Sequence, residues 1–119
     1  MPKYQGTTAY HLVYAELIRA ARYRGFTTYT EIARIGGLPL RGNPMGAAVG
    51  QILGEIVDQE LKEGRHMLSA VCVGSTGKAG EGFYAYALAL KRLKSDTKAE
   101  REAFWQSELR AVYEDWKKP

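Results

Sequence analysis

Two helical segments joined across a short glycine and proline loop constrain this chain more than any other feature. Thr28 is followed three residues later by Glu31, the spacing of a capping box. In that arrangement the threonine hydroxyl and the glutamate each satisfy an orphan N–H of the first turn. The spacing predicts a helix over Tyr29–Ile35. Gly36 and Gly37 stop it, because glycine accepts the positive φ of a C-cap. Leu38–Pro44 is a tight loop, and Asn43 before Pro44 reads as an N-cap followed by a first helical residue. The helix that follows, Pro44 to about Glu63, carries an apolar stripe of Met45, Val49, Ile52, Leu53, Ile56 and Leu61. Two helices across a tight turn make a helix–turn–helix unit.

The flanks extend this unit. Leu12, Val13, Leu17 and Ile18 recur at helical spacing over Thr7–Tyr23, with Thr7 or Thr8 as cap and Gly25 as terminator. Met67–Val73 has the residue types of a buried strand, and Gly74–Gly77 those of a turn. Phe83–Leu93 reads as a short apolar helix, with a strand beginning at Gly82 as the alternative. Thr97 and Glu100 form a second capping box ahead of a helix over Lys98–Trp116, striped by Trp105, Leu109, Val112 and Trp116. That stripe either covers the core or pairs with a second copy in a homodimer. The 119 residues suit a single domain, residues 1–119. The expected class is α+β, mainly α: a winged helix-turn-helix with a small β wing and extra N- and C-terminal helices.

Composition narrows the function. One cysteine, Cys72, permits no intramolecular disulfide, and the N-terminal residues lack the apolar core of a secretion signal. A cytoplasmic chain without a membrane span is expected. The net charge of +4 is unevenly spread. Residues 1–40 hold five Lys/Arg against two acids, and residues 67–94 hold Lys78, Lys91, Arg92 and Lys94 against Glu81 alone. Cations in two blocks are what a face that meets phosphates requires.

Tyr29-Thr30-Glu31-Ile32-Ala33, Gly37-Leu38-Pro39, Ala48-Val49-Gly50, the segment Met67–Val73, Gly77 and the Gly80–Gly82 loop together carry a likeness. Over Tyr29–Leu93 the chain resembles the DNA-binding domain of the alkylguanine-DNA alkyltransferases and their catalytically inactive alkyltransferase-like relatives. In that family a tyrosine opens the first helix of the unit, R-A-V-G lies on the recognition helix, and P-C-H-R carries the reactive cysteine. The resemblance implies a DNA-binding scaffold and places Tyr29 at the phosphate-contacting end of its helix.

The departures are specific. Ala47 stands where the family has the arginine of R-A-V-G, and the loop before it is longer, through Leu40–Asn43. Leu68-Ser69-Ala70-Val71 stands where the family has P-C-H-R, so Ser69 replaces the cysteine and Ala70 the histidine. The arginine that fills the gap left by a flipped base is absent from its place, and Arg41 is the substitute candidate. Cys72, three residues on, falls on the opposite face of a strand from Ser69. With apolar sequence neighbours it reads as a core thiol. A thiolate needs an electropositive neighbour or an adjacent base.

Other constellations carry less. His11 and His66 lack the clustered ligands of a zinc site, so no metal or cofactor is expected. Gly74–Gly82 (GSTGKAGEG) departs from the phosphate-cradling G-x-x-x-x-G-K-[ST] and reads better as a wing bearing Lys78. Glu55, Asp58, Glu60 and Glu63, beside Lys62 and Arg65, read as a solvated helix face. Their charge leaves only the first half of that helix for phosphates. Gly46, Gly50 and Gly54 share one helical row, so either a neighbouring helix or a DNA backbone approaches closely. The expected nucleic-acid-binding residues are Tyr29, Arg34, Arg41, Asn43, Ala47, Gln51 and Lys78. Asn and Gln can read adenine edges, and Arg can read guanine. No catalytic residue is named. The leading expectation is a non-enzymatic protein for double-stranded DNA, in repair or transcriptional regulation. A protein-interaction module on the same scaffold is the alternative.

Overall fold

A computed structural model describes residues 2–118. Five helices, one 3-10 turn and a two-stranded parallel sheet make the class α+β, mainly α. The order is α1 (Thr8–Arg22), β1 (Thr27–Thr28), α2 (Tyr29–Gly36), α3 (Gly42–Lys62), the 3-10 turn (Leu68–Val71), β2 (Cys72–Val73), α4 (Glu81–Ala89) and α5 (Lys98–Asp115). Among the described residues no helix is long and apolar enough to cross a membrane.

The caps act as the sequence requires. Thr7, Thr28 and Thr97 oxygens accept from the N–H groups of Tyr10, Glu31 and Glu100 at 3.1–3.2 Å. Gly37 closes α2 in the left-handed conformation, φ 66°. The glutamate half of the first capping box is diverted, because the Glu31 carboxylate pairs with Arg34 instead. Asn43 is not the cap of α3. That helix begins at Gly42 with Arg41 in the cap position, and Arg41 makes no side-chain cap bond.

Met67–Val73 is not one strand. Leu68–Val71 winds into the 3-10 turn and only Cys72–Val73 is extended. Those two residues pair in parallel with β1, Thr27 against Cys72 and Thr28 against Val73. The small β element therefore joins the approach to α2 with the end of the 3-10 turn. The loop after it runs into α4 without a hairpin. Ser69 sits in the 3-10 turn and Cys72 in the strand, so strand alternation does not set them on opposite faces.

The 3-10 turn lies at the centre, in contact with α1, α3 and α5. Leu68, Ala70 and Val71 are fully buried there among Val13 and Leu17 of α1, Ile32 of α2 and Ile52 and Ile56 of α3. Trp105 of α5 buries its ring and donates its indole N–H to the Ala70 carbonyl at 2.9 Å. Leu109 and Val112 follow it inward. The apolar stripe of α5 thus covers this chain's own core.

Two acids expected on a solvated face of α3 are buried. Glu60 is wholly enclosed and accepts from Tyr14, from Arg65 at 2.9 Å and from the Trp116 indole at 2.9 Å. Glu55 is 8 % exposed and takes the backbone N–H groups of Lys3, Tyr4 and Gln5 at 2.7–2.9 Å. It thereby fixes the N-terminal residues across α3. A buried carboxylate survives only when its oxygens are satisfied in this way.

Candidate nucleic-acid interface

Asn43, Ala47 and Gln51 recur every four residues and therefore share one face of α3. All three are exposed, as is Arg41 at the head of the helix. Gly46 and Gly50 run alongside them. A Cβ added at either would meet nothing within 4 Å, so no neighbouring helix explains these glycines. Only the third of the row, Gly54, is covered, by the Tyr86 ring at 3.9 Å. The first half of α3 is thus a smooth, exposed surface with polar side chains along one edge.

The remaining expected residues are dispersed over other elements. Arg34 is exposed and paired with Glu31 within α2. Lys78, in the loop after β2, reaches Glu102 of α5 at 3.1 Å. Gln51 donates to Glu55 at 2.7 Å. The exposed ion pairs of Arg34 and Lys78 contribute roughly 0–1 kcal/mol each, so a phosphate can replace their carboxylate partners at little cost. Arg41 has no ion-pair partner among the described residues.

Tyr29 is partly exposed. It opens α2 half-buried, and its ring lies against the loop after β2. A Cβ on Gly80 would come within 2.6 Å of the Tyr29 hydroxyl, so any side chain there would have to displace the Tyr29 ring. Burial pushes the phenol above its ordinary range, against a lowering pull from the Gly80 backbone.

That position makes Tyr29 one wall of a cavity. Ser69, Leu53 and Val57 form the inner part, with the rings of Phe83 and Tyr86 opposite and Gly50, Gly54 and Gly82 at the rim. Its volume is about 70 Å³. Ser69 is 7 % exposed, and its hydroxyl has no hydrogen-bond partner among the described residues. The Ser69 hydroxyl is not one of the fully enclosed unpartnered side-chain atoms of the described residues; it borders the cavity. Gly50, Gly54, Gly82 and Tyr86 also line a wider outer hollow of about 520 Å³, bounded by Glu55, Asp58 and Pro2. The cavity therefore opens beside the exposed face of α3.

Covalent chemistry finds no support in the same residues. The Cys72 thiol is buried and pushed up to about 12 by that burial and by the Glu16 charge, so it stays protonated near neutral pH. No histidine or carboxylate hydrogen-bonds to the Ser69 hydroxyl.

The pocket residues Phe83, Tyr86 and Gly82 were not singled out by the sequence, because nothing local connects them to Ser69. Only the alignment of Ser69 with the reactive cysteine of the resembled family drew attention to that position. Comparison with protein-family models, with curated proteins and with solved structures gives no match to this chain.

Proposed function

We propose that the chain is a non-enzymatic DNA-binding protein in which α2, the turn and α3 form a helix–turn–helix. In this reading the loop from Gly74 to Gly80 serves as a wing without a hairpin. The observation that carries the reading is the bare first half of α3. Gly46 and Gly50 each cost about 1 kcal/mol of helix stability relative to alanine and pack against nothing in the chain. A surface that omits side chains at such a cost suits close approach by another backbone. Asn43 and Gln51 lie on the edge where base edges are read, and Arg41 and Lys78 supply cations for phosphates.

No histidine or carboxylate among the described residues hydrogen-bonds to the Ser69 hydroxyl, which agrees with the resemblance to the catalytically inactive alkyltransferase-like proteins.

The test is anisotropy of a labelled duplex titrated with protein across a salt series. The logarithm of affinity should fall linearly with the logarithm of salt, and the Arg41→Ala, Lys78→Ala double variant should flatten that slope by roughly 2. Absence of binding at low salt sinks the proposal. Binding that ignores salt points to a protein-interaction module instead.

A further inference from the structure

Where the last turn of α1 meets the end of α5, cations and open aromatic rings share one surface. Arg22, Tyr23, Arg24 and Phe26 are exposed at the end of α1 and in the link to β1, and Lys117 and Lys118 are exposed after α5. Contacts between the two segments make the patch continuous. The Glu114 carboxylate accepts from Arg24 at 3.0 Å and from Lys117 at 3.3 Å. The Lys118 ammonium sits 4.6 Å from the Tyr23 ring centroid. The Tyr113 hydroxyl donates to the Gly25 carbonyl at 2.8 Å and ties the segments together. Among the described residues Glu114 is the one acid paired with these four cations.

Two features set this surface apart from ordinary solvated charge. Tyr23 is 68 % exposed, more than any other large apolar side chain among the described residues, and Phe26 is 46 % exposed. The Phe26 ring rests on the buried Trp105, 6.2 Å between centroids, so it is held in place while open to solvent. Arg24, between them, holds φ at +54°, a conformation that glycine adopts without strain and an arginine does not. The fold thus keeps a cation between two rings against a backbone cost. The exposed aliphatic side chains lie elsewhere, Leu12 about three turns earlier in α1 and Leu40 in the loop before α3.

From this juxtaposition we infer that the patch is a second binding surface, a stacking platform for single-stranded DNA. Bases stack on the faces of Tyr23 and Phe26, and Arg22, Arg24, Lys117 and Lys118 meet the phosphates beside them. Every base has a π-face, so the surface takes a strand without regard to sequence. A polyanion fits the charge, and only one that also carries rings uses the aromatic side chains. An acidic peptide would leave those rings idle. A lipid surface would match the charge, but its apolar contact would rest on one tyrosine and one phenylalanine with no aliphatic group. A ribose hydroxyl gains nothing here, because both Glu114 oxygens already accept from Arg24 and Lys117. The inference goes beyond duplex binding and uses none of the residues assigned to it.

The experiment is anisotropy of a labelled thymidine oligomer of about twelve nucleotides, a length within the range that single-strand sites cover. The full chain should bind it in a salt-dependent manner. An abasic oligomer of the same length, which keeps the phosphates and lacks the bases, should bind about tenfold more weakly. Tyr23→Leu keeps an apolar side chain but removes the π-face, and should cost about tenfold, whereas Tyr23→Trp should bind at least as well as the parent. Both variants change an exposed residue, and an unchanged melting curve confirms that they fold. Absence of binding, equal affinity for the abasic oligomer, or a Tyr23→Leu variant that binds like the parent overturns the inference. A uridine oligomer that binds more tightly than the thymidine one overturns the choice of DNA. Binding to phosphatidylserine vesicles in place of the oligomer assigns the patch to a membrane and overturns it too. Duplex affinity should be unmoved by Tyr23→Leu, and oligomer affinity unmoved by the Arg41→Ala, Lys78→Ala double variant. Either surface therefore fails without the other.

Discussion

Replacing Gly46 and Gly50 together by alanine should make the protein more stable and a poorer DNA binder. Both positions lie inside α3 with ordinary helical backbone, and an added Cβ meets no atom within 4 Å at either. No packing term opposes the substitution, so the helix-propensity gain remains, about 1 kcal/mol per site and about 2 kcal/mol for the pair. Unfolding entropy for a chain of 119 residues is roughly 0.25 kcal/mol/K, which converts that gain to a rise in Tm of about 8 °C. Far-UV circular dichroism melts measure it directly. Gly37→Ala serves as the contrast. Its φ of +66° strains any residue with a Cβ, so that variant should melt lower than the parent. In the same preparations, duplex affinity of the double alanine variant should fall about tenfold, because two methyl groups now stand between α3 and the DNA backbone. A double variant that is stabilised yet binds DNA as well as the parent would refute the close-approach argument. One that is destabilised would mean that the row packs inside the protein.

Three further outcomes follow from named contacts. Ser69→Ala removes a hydroxyl with no partner among the described residues, so Tm should hold or rise slightly. A large loss of stability would show that the hydroxyl serves the core. Glu55, whose folded carboxyl sits below its ordinary value, contributes stability that is complete above the unfolded carboxylate range near pH 4.3 and is lost as pH falls through the folded value. Urea melts of the parent and of Glu55→Gln should therefore differ most near neutrality and converge in acid. Parallel curves down to about pH 3 would contradict the bonds to residues 3–5. Cys72, buried and pushed up to about 12, should react with a thiol reagent at mildly alkaline pH only as fast as the chain opens, and rapidly in denaturant. Fast labelling of the native protein would place the thiol at the surface.

Local signals in the sequence set most of the helix boundaries. Threonine caps at 7, 28 and 97 and the left-handed Gly37 depend on groups within a few residues, and each acts in place. The β element was misread because Leu68, Val71 and Val73 have strand-like side chains whether the backbone extends or coils. The 3-10 turn is imposed by α1, α3 and α5 closing around it. Burial of Glu60 was legible in hindsight: it lies four residues after Ile56 and seven after Leu53, on the inward stripe of its helix. Its charge, and the cations next to it in sequence, argued for solvent. Only the tertiary positions of Tyr14, Arg65 and Trp116 supply the donors that let it stay inside.

By itself the sequence determined where most of the helices start and which residues form their apolar stripes. Capping, periodicity and glycine conformation act over a few residues of chain. Tertiary structure alone decided that Gly46 and Gly50 face open space, that Glu55 and Glu60 are enclosed, and that Tyr29, Ser69, Phe83 and Tyr86 surround one cavity with Asp58 at its mouth. Those facts depend on separate elements meeting across the core, and such contacts leave no periodic trace in any single stretch of sequence.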